Sequence, residues 1–92
     1  MARLALLSPA DIQQQLADAV RSRRKALKLS RDELAARSTV PAPTIKKFET
    51  TGQISLRQFI LLWQSVDSLE PLATLATATP PVPASIEDVL KS

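Results

Sequence analysis

We predict an all-α protein with five short helices in one small domain, residues 1–75, and an extended proline-rich tail, residues 76–92. Apolar residues recur at spacings of three and four, which is the period of a helix and not of a strand. Serines stand at three positions that suit helix N-caps, Ser8, Ser30 and Ser55. A chain of 92 residues with 45% hydrophobic residues can fill only one core.

The first helix is predicted to begin at Ser8–Pro9. Ser8 is a favoured N-cap, Pro9 suits the first helical position, and Asp11 is placed to complete the cap. The apolar residues that follow at helical spacing should form its core face: Ile12, Leu16, Ala19, Val20 and Leu27. The apolar lead-in, residues 1–7, is either a frayed start or a segment that packs on a partner.

A second helix is predicted from Ser30 through Arg37, because Ser30 and Glu33 form an S-x-x-E capping box. Its Leu34 and Ala35 should face inward. The small Ala35 would let another helix approach closely.

The third helix should begin near Pro41–Pro43, because proline is accepted in a first turn and not in a helix interior. It should run to about Glu49, with Ile45 and Phe48 on its core side. Gly52, the only glycine, is predicted to cap its C-terminus.

Ser55 is predicted to cap a fourth helix whose apolar stripe is wide enough to be buried on more than one side. The stripe consists of Leu56, Phe59, Ile60, Leu62, Trp63 and Val66. A short fifth helix, residues 68–75, carries Leu69, Leu72 and Leu75. Because only three residues are aromatic, the core is thin, and a thin core is often supplemented by dimerisation.

The tail begins with residues 76–83, where three prolines predict a semi-rigid linker. Beyond it, Ile86, Val89 and Leu90 form a small apolar face. The two interpretations are a free tail and a peptide that docks this face in a groove of a partner.

Composition disfavours several classes of protein. The chain has no Cys and no His, which removes disulfides, thiolate metal sites and the commonest acid–base group, so we expect no enzyme, no metal and no cofactor. It has no apolar run of about 20 residues, and its opening is too short for a secretory signal, so we expect a cytoplasmic protein. A basic helix lying on a membrane is disfavoured because the nearby leucines and valine are committed to the core.

Positive charge is concentrated in the middle of the chain. Residues 21–47 hold nine of the twelve cationic residues and two of the nine acidic ones, a net charge of +7, and the remainder carries −4. Such polarity is typical of a surface that binds a polyanion, although a solvated helix surface also produces some of it.

The stretch from Leu29 to Val66 resembles the helix-turn-helix domains of Xre-type regulators, the family that includes phage lambda Cro and repressor. With its flanks, from the second half of the first helix to the fifth helix, the resemblance covers about 55 of 92 residues. It is carried by L-S-x-x-E-L-A from Leu29, by Val40 before the third helix, and by T-I-x-x-F-E from Thr44. It implies a five-helix, lambda-repressor-like fold.

The resemblance further implies that Pro41–Glu49 is a recognition helix in the major groove of DNA. Arg31 and Thr44 take the places of residues that bind phosphate. Ala42, Pro43, Lys46 and Lys47 occupy the exposed, variable positions, and Lys47 is the best candidate for reading a guanine.

The resemblance also bears on structural positions around the recognition helix. Arg24 and Glu49 match a partly buried ion pair between the first and third helices. Thr39 stands where the family usually has a left-handed glycine, which predicts a reshaped or strained turn. Pro41 stands where a Ser or Thr cap is usual.

The function so implied is transcriptional repression by a homodimer that binds a palindromic operator in double-stranded DNA. One recognition helix makes few base contacts, so two half-sites about 34 Å apart would supply the missing affinity. The apolar surplus on the fourth and fifth helices is the expected dimer interface.

The tail adds a second implication. Small Xre-type proteins with a tail resemble the antitoxins of toxin–antitoxin modules, and the SIEDVLKS end is similar to antitoxins whose toxin is a HipA-like kinase. Ile86, Val89 and Leu90 would then bind the toxin, while the chain represses its own operon. The alternative is a plain transcriptional regulator without a toxin partner.

Overall fold

The computed structural model describes residues 7–78. They form five α-helices and no strand, which confirms the all-α class. The helices are α1, Pro9–Ala26; α2, Arg31–Ser38; α3, Ala42–Thr51; α4, Leu56–Val66; and α5, Glu70–Thr77. None of these helices combines the length and apolar character needed to cross a membrane. The predictions for the lead-in before Leu7, the proline-rich linker beyond Ala78 and the apolar face at Ile86, Val89 and Leu90 lie outside the described residues.

The helix starts follow the predicted caps. In α1 the hydroxyl of Ser8 accepts the N–H of Asp11 at 3.1 Å, and the Asp11 carboxylate accepts the N–H of Ser8 at 3.0 Å. Ser30 and Glu33 form the same reciprocal pair at α2, and the hydroxyl of Ser55 accepts an N–H at the start of α4. Each pair satisfies backbone donors that a helix start leaves open, so the starts are fixed locally.

The core lies where α1, α2, α3 and α4 meet. Its buried apolar members are Ala17, Val20, Leu34, Val40, Ile45, Phe48, Phe59, Leu62, Trp63 and Val66. Phe48 meets Phe59 edge-on with ring centroids 6.0 Å apart, and Phe59 lies 5.9 Å from Trp63. The three aromatic rings therefore contact one another in series through the centre of the core.

Several apolar residues predicted for the core are exposed instead. Ile12 and Leu27 lie on the surface of α1, because its buried face runs through Ala17 and Val20. Leu56, the first residue of α4, is 73% exposed. The prediction that α4 is buried on more than one side is therefore wrong at the N-terminus of this helix.

Two predicted helix boundaries also differ. Helix α3 continues past Glu49 to Thr51, where the hydroxyls of Thr50 and Thr51 donate to carbonyls one turn earlier. Helix α5 begins at Glu70, because Pro71 suits a first turn, and it extends two residues into the predicted linker. None of its residues is fully buried, and Leu75 is 77% exposed.

Candidate nucleic-acid interface

The turn between α2 and α3 sets the direction of α3. Thr39 adopts φ 66°, ψ 8°, and its N–H donates to the Ala35 carbonyl. The hydroxyl of the buried Ser38 accepts the N–H of Val40 at 3.1 Å, which fixes the chain as it leaves the turn. The left-handed conformation is therefore kept without glycine, and its cost is held as strain in Thr39.

The N-terminal end of α3 has no side-chain cap. Pro41 is the N-cap residue and offers no side-chain acceptor, and Pro43 in the first turn has no N–H. The remaining N–H groups of this turn, from Ala42 and Thr44, belong to the positive end of the helix dipole. Such an end favours an anionic partner.

Two open grooves flank this end of α3. The first lies against the start of α2, and its lining includes Ser30, Arg31, Asp32, Ala42, Pro43 and Lys46. The second lies toward the start of α4 and is lined by Pro43, Thr44, Lys47, Gln53, Ile54 and Gln58. Pro43 belongs to both grooves, so the end of α3 forms a ridge between them.

The six residues predicted to contact DNA all lie along this ridge and its two grooves. Lys46 and Lys47 are exposed on opposite sides of it, Lys46 toward α2 and Lys47 toward α4. Arg31 reaches the first groove from α2, although it is separated from Lys46 by fifteen positions in the chain. The fold thus gathers residues of two helices around one exposed helix end.

Glu49 connects three helices beneath the first groove. Its carboxylate is 1% exposed and receives Nε and Nη2 of Arg24, from α1, at 2.7 and 3.0 Å. Arg24 Nη1 also donates to the Leu29 carbonyl at 2.9 Å. Arg24 and Glu49, the pair that the resemblance implies, therefore form a buried two-point ion pair between α1 and α3.

The same carboxylate holds Arg31. Arg31 Nε donates to Glu49 Oε1 at 3.0 Å, and its side chain is 36% exposed. Burial alone would raise the pKa of Glu49, but the hydrogen bonds and charges of Arg24 and Arg31 outweigh it and leave that pKa below its ordinary value. Glu49 is thus held ionised between the two guanidinium groups.

Arg23 pairs with residues at the C-terminal end of α4. Its Nε lies 2.7 Å from the carboxylate of Asp67, and its guanidinium carbon lies 4.5 Å from the ring centroid of Trp63. The hydrogen bond from Arg23 keeps the pKa of Asp67 below its ordinary value. Three cations of residues 21–47, namely Arg23, Arg24 and Arg31, are therefore in ion pairs. Lys46 and Lys47 of α3 are exposed and belong to none of these pairs.

Sequence reasoning did not identify every residue of the interface. Ser30 and Asp32 line the first groove, and Gln53 and Gln58 line the second. The capping box already placed Ser30 at the start of the second helix, next to Arg31, and that signal could have found it. The glutamines follow α3 in the chain, and only their packing brings them to Lys47.

Comparison of the chain with protein-family models, with curated proteins and with solved structures finds no match. Among residues 7–78, no three acidic side chains approach one another closely enough to hold a metal ion.

Proposed function

We propose that this chain is a dimeric, sequence-specific DNA-binding protein that represses transcription, with α2 and α3 as a helix-turn-helix. One observation carries the proposal: the exposed end of α3 is flanked by two grooves that together contain Arg31, Thr44, Lys46 and Lys47. A ridge of this kind, with cations on both sides, fits a major groove bordered by two phosphate backbones.

The proposed roles follow from position. Arg31 lines the first groove, its Nε is held by Glu49, and its terminal nitrogens contact phosphate in the proposed complex. Thr44, half-buried beside Lys47, contacts the phosphate on the other side. Lys47 reads a guanine, Lys46 contacts a base or phosphate, and Ala42 and Pro43 contribute shape and contact with thymine methyl groups.

The dimer is proposed from the apolar surface of α5. Leu75 is 77% exposed, and no residue of α5 is fully buried. An interface between copies would cover this surface and would place two recognition helices on one palindromic operator.

The antitoxin role extends the same proposal. It is supported by the sequence of the tail, where Ile86, Val89 and Leu90 would bind a HipA-like kinase toxin. The plain regulator is the alternative, since DNA binding alone needs no tail.

Deleting residues 78–92 should abolish toxin binding and leave operator binding intact. A kinase gene beside this one in the operon would be the matching genomic observation, and equal toxin binding by the truncated chain would contradict the role of the tail.

DNA binding is tested by gel-shift titration of operator fragments at increasing salt. We expect a steep fall in affinity with salt, and protection of a palindromic site, because phosphate neutralisation releases counterions. Arg31→Gln should weaken binding to all sequences and reduce the salt slope by about one. If binding to such a site depended little on Arg31, Lys46 and Lys47, α3 would not be the recognition helix.

A further inference from the structure

The outer face of α4 carries an apolar groove away from the DNA-binding ridge. Leu56, Arg57, Ile60 and Leu61 line it, and it encloses about 300 Å³. Leu56 is largely exposed, while Ile60 and Leu61 are half-buried. Leu56 also borders a second depression that reaches Phe48 and Phe59, so the apolar surface is continuous with the aromatic core.

The charge of the groove discriminates between occupants. Among the described residues that line it, Arg57 is the only charged one. In a symmetric dimer the same patch meets itself, so a second copy would bring Arg57 to a surface that offers no carboxylate and carries another Arg57. A fitting occupant is apolar and brings acidic side chains.

Residues 85–90, Ser-Ile-Glu-Asp-Val-Leu, have these properties. Ile86, Val89 and Leu90 fall at positions i, i+3 and i+4, the spacing of one helix face, and Glu87 and Asp88 stand between them. The apolar residues match the leucines and isoleucine of the groove, and either carboxylate can pair with Arg57. The segment thus complements the groove in both character and charge.

The connection between the described residues and the segment is short. Residues 79–85 contain three prolines, and seven residues in an extended polyproline conformation would span about 22 Å. A short tether of this length gives an effective concentration in the millimolar range, so a weak contact suffices for docking.

We propose that residues 85–90 dock in cis in the groove formed by Leu56, Arg57, Ile60 and Leu61. Ile86, Val89 and Leu90 cover the apolar lining, and Glu87 or Asp88 pairs with Arg57. The contact does not depend on DNA binding. It uses the same apolar face that the antitoxin role requires, so docking and toxin binding are mutually exclusive.

Paramagnetic relaxation in the full-length chain tests the docking. The chain has no Cys, so Ser92→Cys gives a single site for a nitroxide spin label. We expect the amide signals of Arg57, Ile60 and Leu61 to lose intensity relative to the same sample after reduction of the label. Val89→Asp and Leu56→Asp should each abolish this loss, and Leu27→Asp, which changes a similarly exposed leucine outside the groove, should leave it unchanged.

Two outcomes would overturn the proposal. One is undiminished signals from the groove in the labelled parent chain. The other is an equal loss in a mixture of spin-labelled chains with isotope-labelled chains that carry no spin label, because the contact would then lie between copies. Val89→Asp lies outside the five helices, so it remains informative even if Leu56→Asp disturbs α4.

Discussion

Arg31 and Glu49 are joined by a hydrogen bond of 3.0 Å between Nε and Oε1, so the carboxylate that neutralises the buried Arg24 also restrains the first residue of α2. The Glu49 carboxylate is 1% exposed and binds both guanidinium groups. The position of Glu49 on α3 therefore sets where the side chains of Arg24 and Arg31 lie. The same carboxylate therefore contributes to the stability of the fold and positions Arg31, the proposed phosphate contact.

Glu49→Gln should lower the free energy of unfolding by about 3 kcal/mol, because it leaves the charge of Arg24 buried without a counter-ion. Urea denaturation measures the change. Arg31→Gln is the matched control and should cost at most about 1 kcal/mol, since Arg31 is partly exposed and Arg24 keeps its partner. If both variants lost the same free energy of unfolding, burial of the ion pairs would not determine how much they contribute to stability.

The protein should lose stability in acid, because two carboxylates that are paired with arginines in the native state become protonated. The pKa of Glu49, through its contacts with Arg24 and Arg31, and the pKa of Asp67, through Arg23, lie below their ordinary values of 4.5 and 3.8. The native state therefore holds these protons more weakly than the unfolded state. The stabilisation is complete above pH 4.5 and is lost as pH falls through the lower native values. Urea midpoints measured from neutral pH to pH 3 should be level and then decline, and the decline should be shallower in Glu49→Gln.

Gly52→Ala should destabilise the protein by about 1–2 kcal/mol, because Gly52 has φ 79° and an added Cβ would lie 3.1 Å from the backbone carbonyl carbon of Gln13. Thermal unfolding measures the effect.

Thr39→Gly is the opposite test: at φ 66° it removes the strain of a β-branched residue and should raise the melting temperature. A destabilised Thr39→Gly would mean that the threonine contributes more through its contacts than it costs in strain.

Lys47→Ala should weaken operator binding by about tenfold or more and relax the preference at one base pair, if Lys47 reads a guanine. Lys25→Ala removes the same charge from an exposed position of α1, outside both grooves beside α3, and should leave the sequence preference unchanged. Competition gel shifts with single-base operator variants measure both. Equal effects of the two changes on every operator would indicate a contribution from net charge alone.

Asp32→Asn should strengthen DNA binding at low salt, because Asp32 places a carboxylate in the groove that Arg31 and Lys46 line. The same change should cost about 0.3–1 kcal/mol of stability, since Asp32 lies in the first turn of α2. Affinity and urea stability measured on one preparation separate these effects. Unchanged or weaker binding would place the DNA backbone away from this groove.

The local features of the fold could be predicted from the sequence. Ser8, Ser30 and Ser55 cap helices through hydrogen bonds to residues three positions away, and Gly52 ends α3 as expected. Ile45 and Phe48 are buried because their spacing places them on one face of a single helix. Such features depend on neighbouring residues only, and the sequence specifies them without reference to the rest of the chain.

The tertiary structure alone decided how separate helices share their charges and their apolar faces. Arg23 meets Asp67 across 44 positions and lies over Trp63, and Arg31 meets Glu49 across 18. Leu56 has the same chemistry as Leu62, yet Leu56, at the first position of α4, is 73% exposed while Leu62 is fully buried. Contacts between distant residues depend on how helices pack against one another, and a periodic pattern within one helix carries no information about that packing.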